Sequence, residues 1–174
     1  MESKRYKYWS SIIDLRRCAD CKKRHGQVYL ISEIPKPKPP LHVNCRCTIK
    51  RMEAKIAGTA TNNKIAGADW WLMKFGHLPS YYISETDAKN LGWKSKWGNL
   101  HTVAPGKMLT KGIYQNRNGH LPQKAGRIWY EADINYTYGW RNDQRIVYSN
   151  DGLIFVSYDH YQTFIEIVSK EESA

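Results

Sequence analysis

AGRIWYEADINYTYGWRNDQRIVYSNDGLIFVSYDHYQTFIEIV, residues 125–168, decides the fold of this 174-residue chain. Residues 127–136, 143–148, 153–158 and 161–168 are rich in β-branched and aromatic side chains, the composition of half-buried strands. Between the second and third of these runs, Ser149-Asn150-Asp151-Gly152 is a strong hairpin turn. Upstream, from about residue 65, Ala68, Trp71, Leu72 and Phe75 recur at helical spacing. A second short helix is predicted after Ser84, whose hydroxyl suits an N-cap, with TDAKNLG following and Gly92 beyond its end. Helices first and hairpin-linked strands afterwards predict an α+β fold in which N-terminal helices pack on an antiparallel sheet.

The charge is unevenly placed. Residues 1–55 hold 14 Lys and Arg against 5 Asp and Glu, and residues 56–174 hold 13 against 11, within a chain of formal net charge +11. A nucleic-acid partner argued from bulk charge alone would thus be assigned to the first 55 residues, and attraction for phosphate in the remainder must come from local clustering. No run approaches the roughly 18 apolar residues of a membrane span, so a membrane partner is not expected. Residues 1–17, MESKRYKYWSSIIDLRR, carry charge but no apolar run of signal-peptide length.

All four cysteines lie early: Cys18, Cys21, Cys45 and Cys47. They form two close pairs on either side of IPKPKPPL (34–41), whose prolines forbid regular helix and favour an extended excursion. Such spacing suits a tetrahedral structural zinc, with His25 or His42 as alternative ligands, and metal binding would replace a core that so short a unit lacks. Two disulfides or four free thiols are the alternatives. The small, polar segment AKIAGTATNNKIAG (54–67) then reads as a joint. The organisation expected is a basic, cysteine-rich unit over 1–55, a linker over 56–64 and a second domain over 65–174.

Within the strand-rich third stand a carboxylate, an arginine and a histidine on successive segments: Glu131, Arg145 and His160. Breaking RNA at phosphorus requires a base for the 2′-hydroxyl, a cation over the phosphate oxygens and an acid for the leaving 5′-oxygen. On pattern alone the preferred reading of the three is a strand carboxylate, its salt-bridge partner and a polar residue after a turn, because charges on strands are usually structural or solvated.

Taken in order, LPSYYISETDAKNLGW (78–93), GNLHTVAPGK (98–107), NRNGHLP (116–122) and the 125–168 stretch resemble the barnase family, the small secreted guanyl-preferring ribonucleases of bacilli. The likeness runs over about residues 65–168 without a gap. It implies the microbial ribonuclease fold and a metal-independent endoribonuclease, which cleaves single-stranded RNA by transesterification through a 2′,3′-cyclic phosphate. It implies that Glu131 is the general base, that His160 is the general acid, and that Arg141 and Arg145 hold the scissile phosphate. Residues Tyr114, Gln115, Asn116, Arg117 and Asn118 match the loop that grips the guanine, and Tyr114 and Tyr161 match positions that stack on base or ribose. Arg127 and Asp151 match a buried structural ion pair. Two positions depart from the family. Asn118 stands where a glutamate reads the guanine edge, which weakens or alters the base preference, since an amide nitrogen would face a donor. Glu85 stands where a lysine faces the phosphate, which lowers the expected activity, with Lys89 and Lys111 as compensating cations.

RRCADCKKRHGQVYLISEIPKPKPPLHVNCRC (16–47) resembles the C-terminal end of the phage Mu F-like head-morphogenesis domain over about 35 residues. Together the two likenesses imply a phage-type polymorphic toxin, extracellular or phage-delivered and acting in the cytoplasm of a target cell. Its expected partners are RNA, an acidic barstar-like inhibitor drawn to a cationic cleft, and phage capsid components. The rival expectation, raised by Glu85 and Asn118, is a catalytically impaired RNA-binding or structural domain. A third is a basic zinc module as the functional half.

Overall fold

The computed structural model describes all of residues 1–174. Its centre is the run of strands the sequence announces: β6 (Trp129–Asp133), β7 (Arg145–Ser149), β8 (Ile154–Ser157) and β9 (Ile165–Val168), each antiparallel to the next. The β7–β8 turn falls on Ser149–Gly152, and Gly152 takes φ +93°, the left-handed conformation this turn needs. The strand expected over 161–168 begins only at Ile165. His160 and Tyr161 have φ of +54° and +69°, so residues 158–164 leave the sheet as a loop.

Helix α2 (Ala68–Phe75) covers one face of these strands, burying Ala68 and Leu72 against Ala132, Ile146, Ile154, Val156 and Ile167. Helix α3 (Glu85–Asn90) starts where expected, with the Ser84 hydroxyl accepting from the Asp87 N–H at 3.1 Å. Strand β4 (Tyr82–Ser84) precedes it, and α4 (Leu100–Val103) leads into β5 (Met108–Tyr114), which pairs antiparallel with β6.

The sheet is mixed, which corrects the expectation of an antiparallel one. Strand β4 runs parallel to β5, because α3 and α4 make the crossover that a parallel pair requires. On the opposite edge, β3 (Thr48–Ile56) lies parallel to β9. Strand β1 (Glu2–Ser10) pairs antiparallel with β3 and with β2 (Val28–Leu30), so the order across nine strands is β2-β1-β3-β9-β8-β7-β6-β5-β4. The amino-terminal unit is therefore not left with only a metal in place of a core. Tyr6, Val28 and Met52 join Leu121, Trp129, Val147, Phe155 and Phe164 in one apolar cluster on the face opposite α2. A buried Glu166 on β9 is bound by the Ser3 hydroxyl and by the Arg5 Nε at 2.6 Å, which fastens β1 across the join. Short helix α1 (Ala19–Arg24) and the cysteines surround the fully buried Trp9. A final short helix, α5 (Lys170–Ser173), is closed by a capping box from Ser169 and Glu172.

Candidate active site

Strand register alone puts the acidic and basic candidates on one side of the sheet. Glu131 pairs directly with Val147, and Asp133 with Arg145, and Arg145 in turn with Ser157. Direct antiparallel partners share a face and alternate residues return to it, so Glu131, Asp133, Arg145 and Ser157 all point away from α2. This is the face that carries Trp129, Val147 and Phe155, and its apolar end is closed by the amino-terminal unit. The charged end is left for the loops.

Asp133 organises the arginines and was missing from the candidates read off the sequence. Its carboxylate, fully buried, accepts from Arg141 Nη2 at 2.6 Å and Nε at 2.7 Å, a bidentate fork, while Arg145 Nε stands 3.2 Å from the same Oδ1. Burial alone would lower the Arg141 pKa, but the hydrogen bonds and charge of Asp133 outweigh it and the net shift is upward. Arg145 spends Nη1 on the carbonyls of Asn142 (2.6 Å) and Gln144 (2.8 Å), so its guanidinium is locked in place. The one available signal was the alternation Glu131-Ala132-Asp133 opposite Arg145, which requires both the strand and its register to be known.

Glu131 receives the Tyr161 hydroxyl on Oε2. Tyr161 thus serves the carboxylate, and Tyr114 stacks on Tyr161 with ring centroids 4.9 Å apart and planes 26° from parallel. The rings expected to stack on a base stack on each other, for a physical reason: a largely buried phenol needs a partner, and Glu131 is within reach. Burial, then the hydrogen bond to Glu131, pushes the Tyr161 hydroxyl far upward, and burial beside Glu131 pushes Tyr114 up to about 12. Both stay protonated, and Tyr161 stays a donor. Oε1 of Glu131 has no such partner and is the atom free to take a proton.

His160 lies in the β8–β9 loop, exposed, with its N–H bonded to the Asp143 carbonyl at 2.9 Å and its ring 5.1 Å from that of Tyr161. Glu85 sits at the rim and is already compensated: Lys89 Nζ is 2.9 Å and Lys111 Nζ 3.9 Å from its carboxylate. The hydrogen bond from Lys89 and the charges of Lys111 and Arg141 hold its pKa below the usual carboxylate value against the cost of burial. Both lysines named from the sequence are thus spent on Glu85 in this structure.

The base loop departs further from expectation. Asn116, buried with φ +47°, turns inward: its amide nitrogen donates to the Leu121 carbonyl and its oxygen accepts from the Leu121 N–H, both at 3.1 Å. Asn118 is exposed, and its oxygen accepts from the His120 N–H at 3.1 Å, which uses one of the two lone pairs of that atom. Gln115 and Arg117 are exposed. The Arg127–Asp151 pair forms with three hydrogen bonds of 2.9–3.0 Å.

At the other end of the molecule the four cysteines converge as free thiols, with His42 among them. His42 Nε2 is 3.1 Å from Cys18 Sγ and 3.5 Å from Cys21 Sγ, and Cys21 Sγ is 3.8 Å from Cys45 Sγ. Cys18, Cys21 and His42 make one close triad and Cys21, Cys45 and Cys47 another, sharing Cys21. Zinc–ligand bonds of about 2.3 Å to sulfur and 2.0–2.1 Å to nitrogen imply tetrahedral edges of about 3.5–3.8 Å; the donor types and the 3.5 and 3.8 Å separations fit zinc, while the 3.1 Å separation of His42 from Cys18 is shorter than such an edge. His25 is turned away, its Nδ1 accepting from the Ser11 N–H at 3.0 Å.

The family described as ribonuclease matches residues 73–168, and the family described as Phage Mu protein F like protein matches residues 1–50. A ribonuclease of Heyndrickxia coagulans is 46% identical over 108 residues, covering 62% of this chain and 99% of the relative. Ribonucleases of Bacillus intermedius and Bacillus pumilus are each 46% identical over 117 residues, 67% of this chain and 72% of the relative.

Proposed function

The chain belongs to the ribonuclease family and is an endoribonuclease; we propose that it cleaves single-stranded RNA by transesterification, with Glu131 as general base and His160 as general acid. The observation that carries this reading is that the buried Asp133 holds Arg141 and Arg145 on the face of the sheet that Glu131 shares. Glu131 takes the proton of the 2′-hydroxyl, and the 2′-oxygen attacks the adjacent phosphorus. The bond from phosphorus to the 5′-oxygen breaks, the leaving oxygen receives a proton from His160, and the products are a 2′,3′-cyclic phosphate and a free 5′-hydroxyl. An imidazole can both give up such a proton and take it back. Arg141 and Arg145 meet the negative charge that accumulates on the phosphoryl oxygens; held beforehand by Asp133, they need little reorganisation as it develops. Tyr161 fixes the orientation of Glu131. Both proton transfers are supplied by side chains, so the scheme needs no metal.

Guanine preference is weakened in this reading, because the Asn118 oxygen is engaged by His120 and its amide nitrogen cannot accept from a guanine edge. The chain acts as a toxin delivered from outside or by a phage particle, reaching RNA in the cytoplasm of a target cell, a reading supported by the match of residues 1–50 to a phage protein family. An acidic inhibitor of the barstar kind is the partner that the positive charge of Arg141 and Arg145 would attract. The cysteine cluster holds a structural zinc through Cys18, Cys21 and Cys45, with His42 or Cys47 completing the shell.

Two measurements test these assignments. The purified chain, incubated in EDTA with a fluorescent oligoribonucleotide, cleaves it to cyclic-phosphate ends, and Glu131→Ala abolishes cleavage while leaving the thermal transition in place. Binding without cleavage by the parent protein sinks the catalytic assignment. Elemental analysis finds about one zinc per chain, lost in Cys21→Ser; no bound metal in either protein removes the zinc.

A further inference from the structure

The loop assigned to the base, residues 114–120, leans from behind on the amino-terminal unit, and its hydrogen bonds to that unit run through one residue. His120 is only 7% exposed. Its Nε2 lies 2.7 Å from the Lys23 carbonyl at the end of α1, so that nitrogen carries the proton. Its own carbonyl accepts from the Val28 N–H at 2.8 Å, and its N–H donates to the Asn118 oxygen. A line of hydrogen bonds therefore connects the main chain at Lys23, through His120, to the side chain of Asn118. Next to it the fit is close enough to exclude a side chain. Gly26, at φ +86°, lies so near Gln162 that a Cβ there would stand 1.9 Å from the Gln162 carbonyl oxygen.

We propose that His120 is a positioning residue through which the amino-terminal unit sets the base-recognition loop, so that selectivity among bases depends on how residues 23–28 dock behind residues 116–121. The proposal rests on the assignment of residues 114–118 to the base. Space-filling alone does not account for the residue: an apolar ring would occupy the same volume without burying Nδ1, which has no partner. Nor does either cross-contact involve a side chain of the amino-terminal unit. Both use its main chain, and thus depend on where α1 and the segment after it lie.

The test uses the full-length chain and steady-state cleavage of two dinucleoside phosphates, GpA and ApA, with thermal melts to verify folding. His120→Phe keeps a ring and removes the donor; His120→Gln keeps a donor for the Lys23 carbonyl; Asn118→Ala reports whether the loop reads the base at all. Loss of one such hydrogen bond is expected to move the ratio of kcat/KM between the two substrates by about two- to tenfold in His120→Phe, chiefly through KM, with His120→Gln restoring it. If Asn118→Ala moves the ratio and His120→Phe does not, the coupling is wrong and the base loop stands. If neither moves it, the base loop is misassigned and the proposal falls with it. A lower melting temperature or kcat with an unchanged ratio makes His120 merely structural, which also overturns the proposal.

Discussion

Replacing Asp133 with asparagine isolates the feature on which the catalytic reading turns. The substitution keeps the shape of the side chain, removes its charge and turns an amide nitrogen toward guanidinium donors at 2.6–3.2 Å. Removing one partner of a buried ion pair costs about 3–5 kcal/mol, because the charge left behind is uncompensated. Arg141 keeps 21% of its side-chain exposure and can turn toward water, whereas Arg145, at 5%, cannot, so the low end of that range, about 3 kcal/mol, is expected. For a chain of 150–250 residues each kcal/mol shifts Tm by about 2–4 °C, giving a fall of roughly 6–12 °C. Activity should fall by more than stability alone dictates. Arg141 loses one of the two bonds that orient it together with the opposing charge, and a displacement of about 1 Å in a positioned group costs on the order of 10²-fold. Thermal unfolding followed by circular dichroism, together with kcat/KM on a fluorescent oligoribonucleotide well below the variant's Tm, measures both effects. A Tm within about 2 °C of the parent with unchanged kcat/KM would refute the reasoning, since the arginines would then not depend on this carboxylate.

Glu85→Gln frees Lys89 and Lys111 from the carboxylate they now face and should raise kcat/KM about tenfold; Glu85→Lys should add up to about 10²–10³ in total, the worth of one preorganised charged contact, and the gain should shrink in high salt. A kcat/KM for Glu85→Lys that is unchanged or lower would place residue 85 outside the reach of the phosphate. For Asp151, the hydrogen bonds from Arg127, opposed by burial and aided by Ser149, lower the pKa from 3.8 to about 2. Because the folded value lies below the unfolded one, the stabilisation is complete above about pH 4 and is lost as pH falls toward 2. Asp151→Asn should therefore be less stable than the parent at neutral pH and show a flatter acid limb in denaturant titrations between pH 4 and 2; parallel curves would show that the pair contributes nothing.

Much of the centre of this protein was legible from local pattern. The Ser149–Gly152 turn, the Ser84 cap and the helix carrying Ala68, Leu72 and Phe75 are short-range signals, and each lies where its own chemistry puts it. Strand β5 was not read, because Gly112 at φ +73° breaks the alternation with a bulge between Thr110 and Gly112. Nor were β1 and β3, whose sequences ESKRYKYWS and TIKRMEAKI are dense in charge and carry no clean apolar period. They become strands because β9 offers an edge, and Tyr6 and Met52 reach an apolar cluster made by residues a hundred positions away.

Residue order alone supplies the chemical groups: the carboxylate at 131, the arginines at 141 and 145, the imidazole at 160, the four thiols, and the α+β class of the strand-rich half. Which atoms those groups spend on one another follows from how the chain packs. Asp133 takes both arginines, Tyr161 turns its hydroxyl to Glu131, His42 rather than His25 joins the cysteines, and His120 ties the base loop to α1. The reason is range: periodicity and turn chemistry act over a few residues, while these contacts join positions 8 to 97 apart, fixed by strand register and burial that no local window contains.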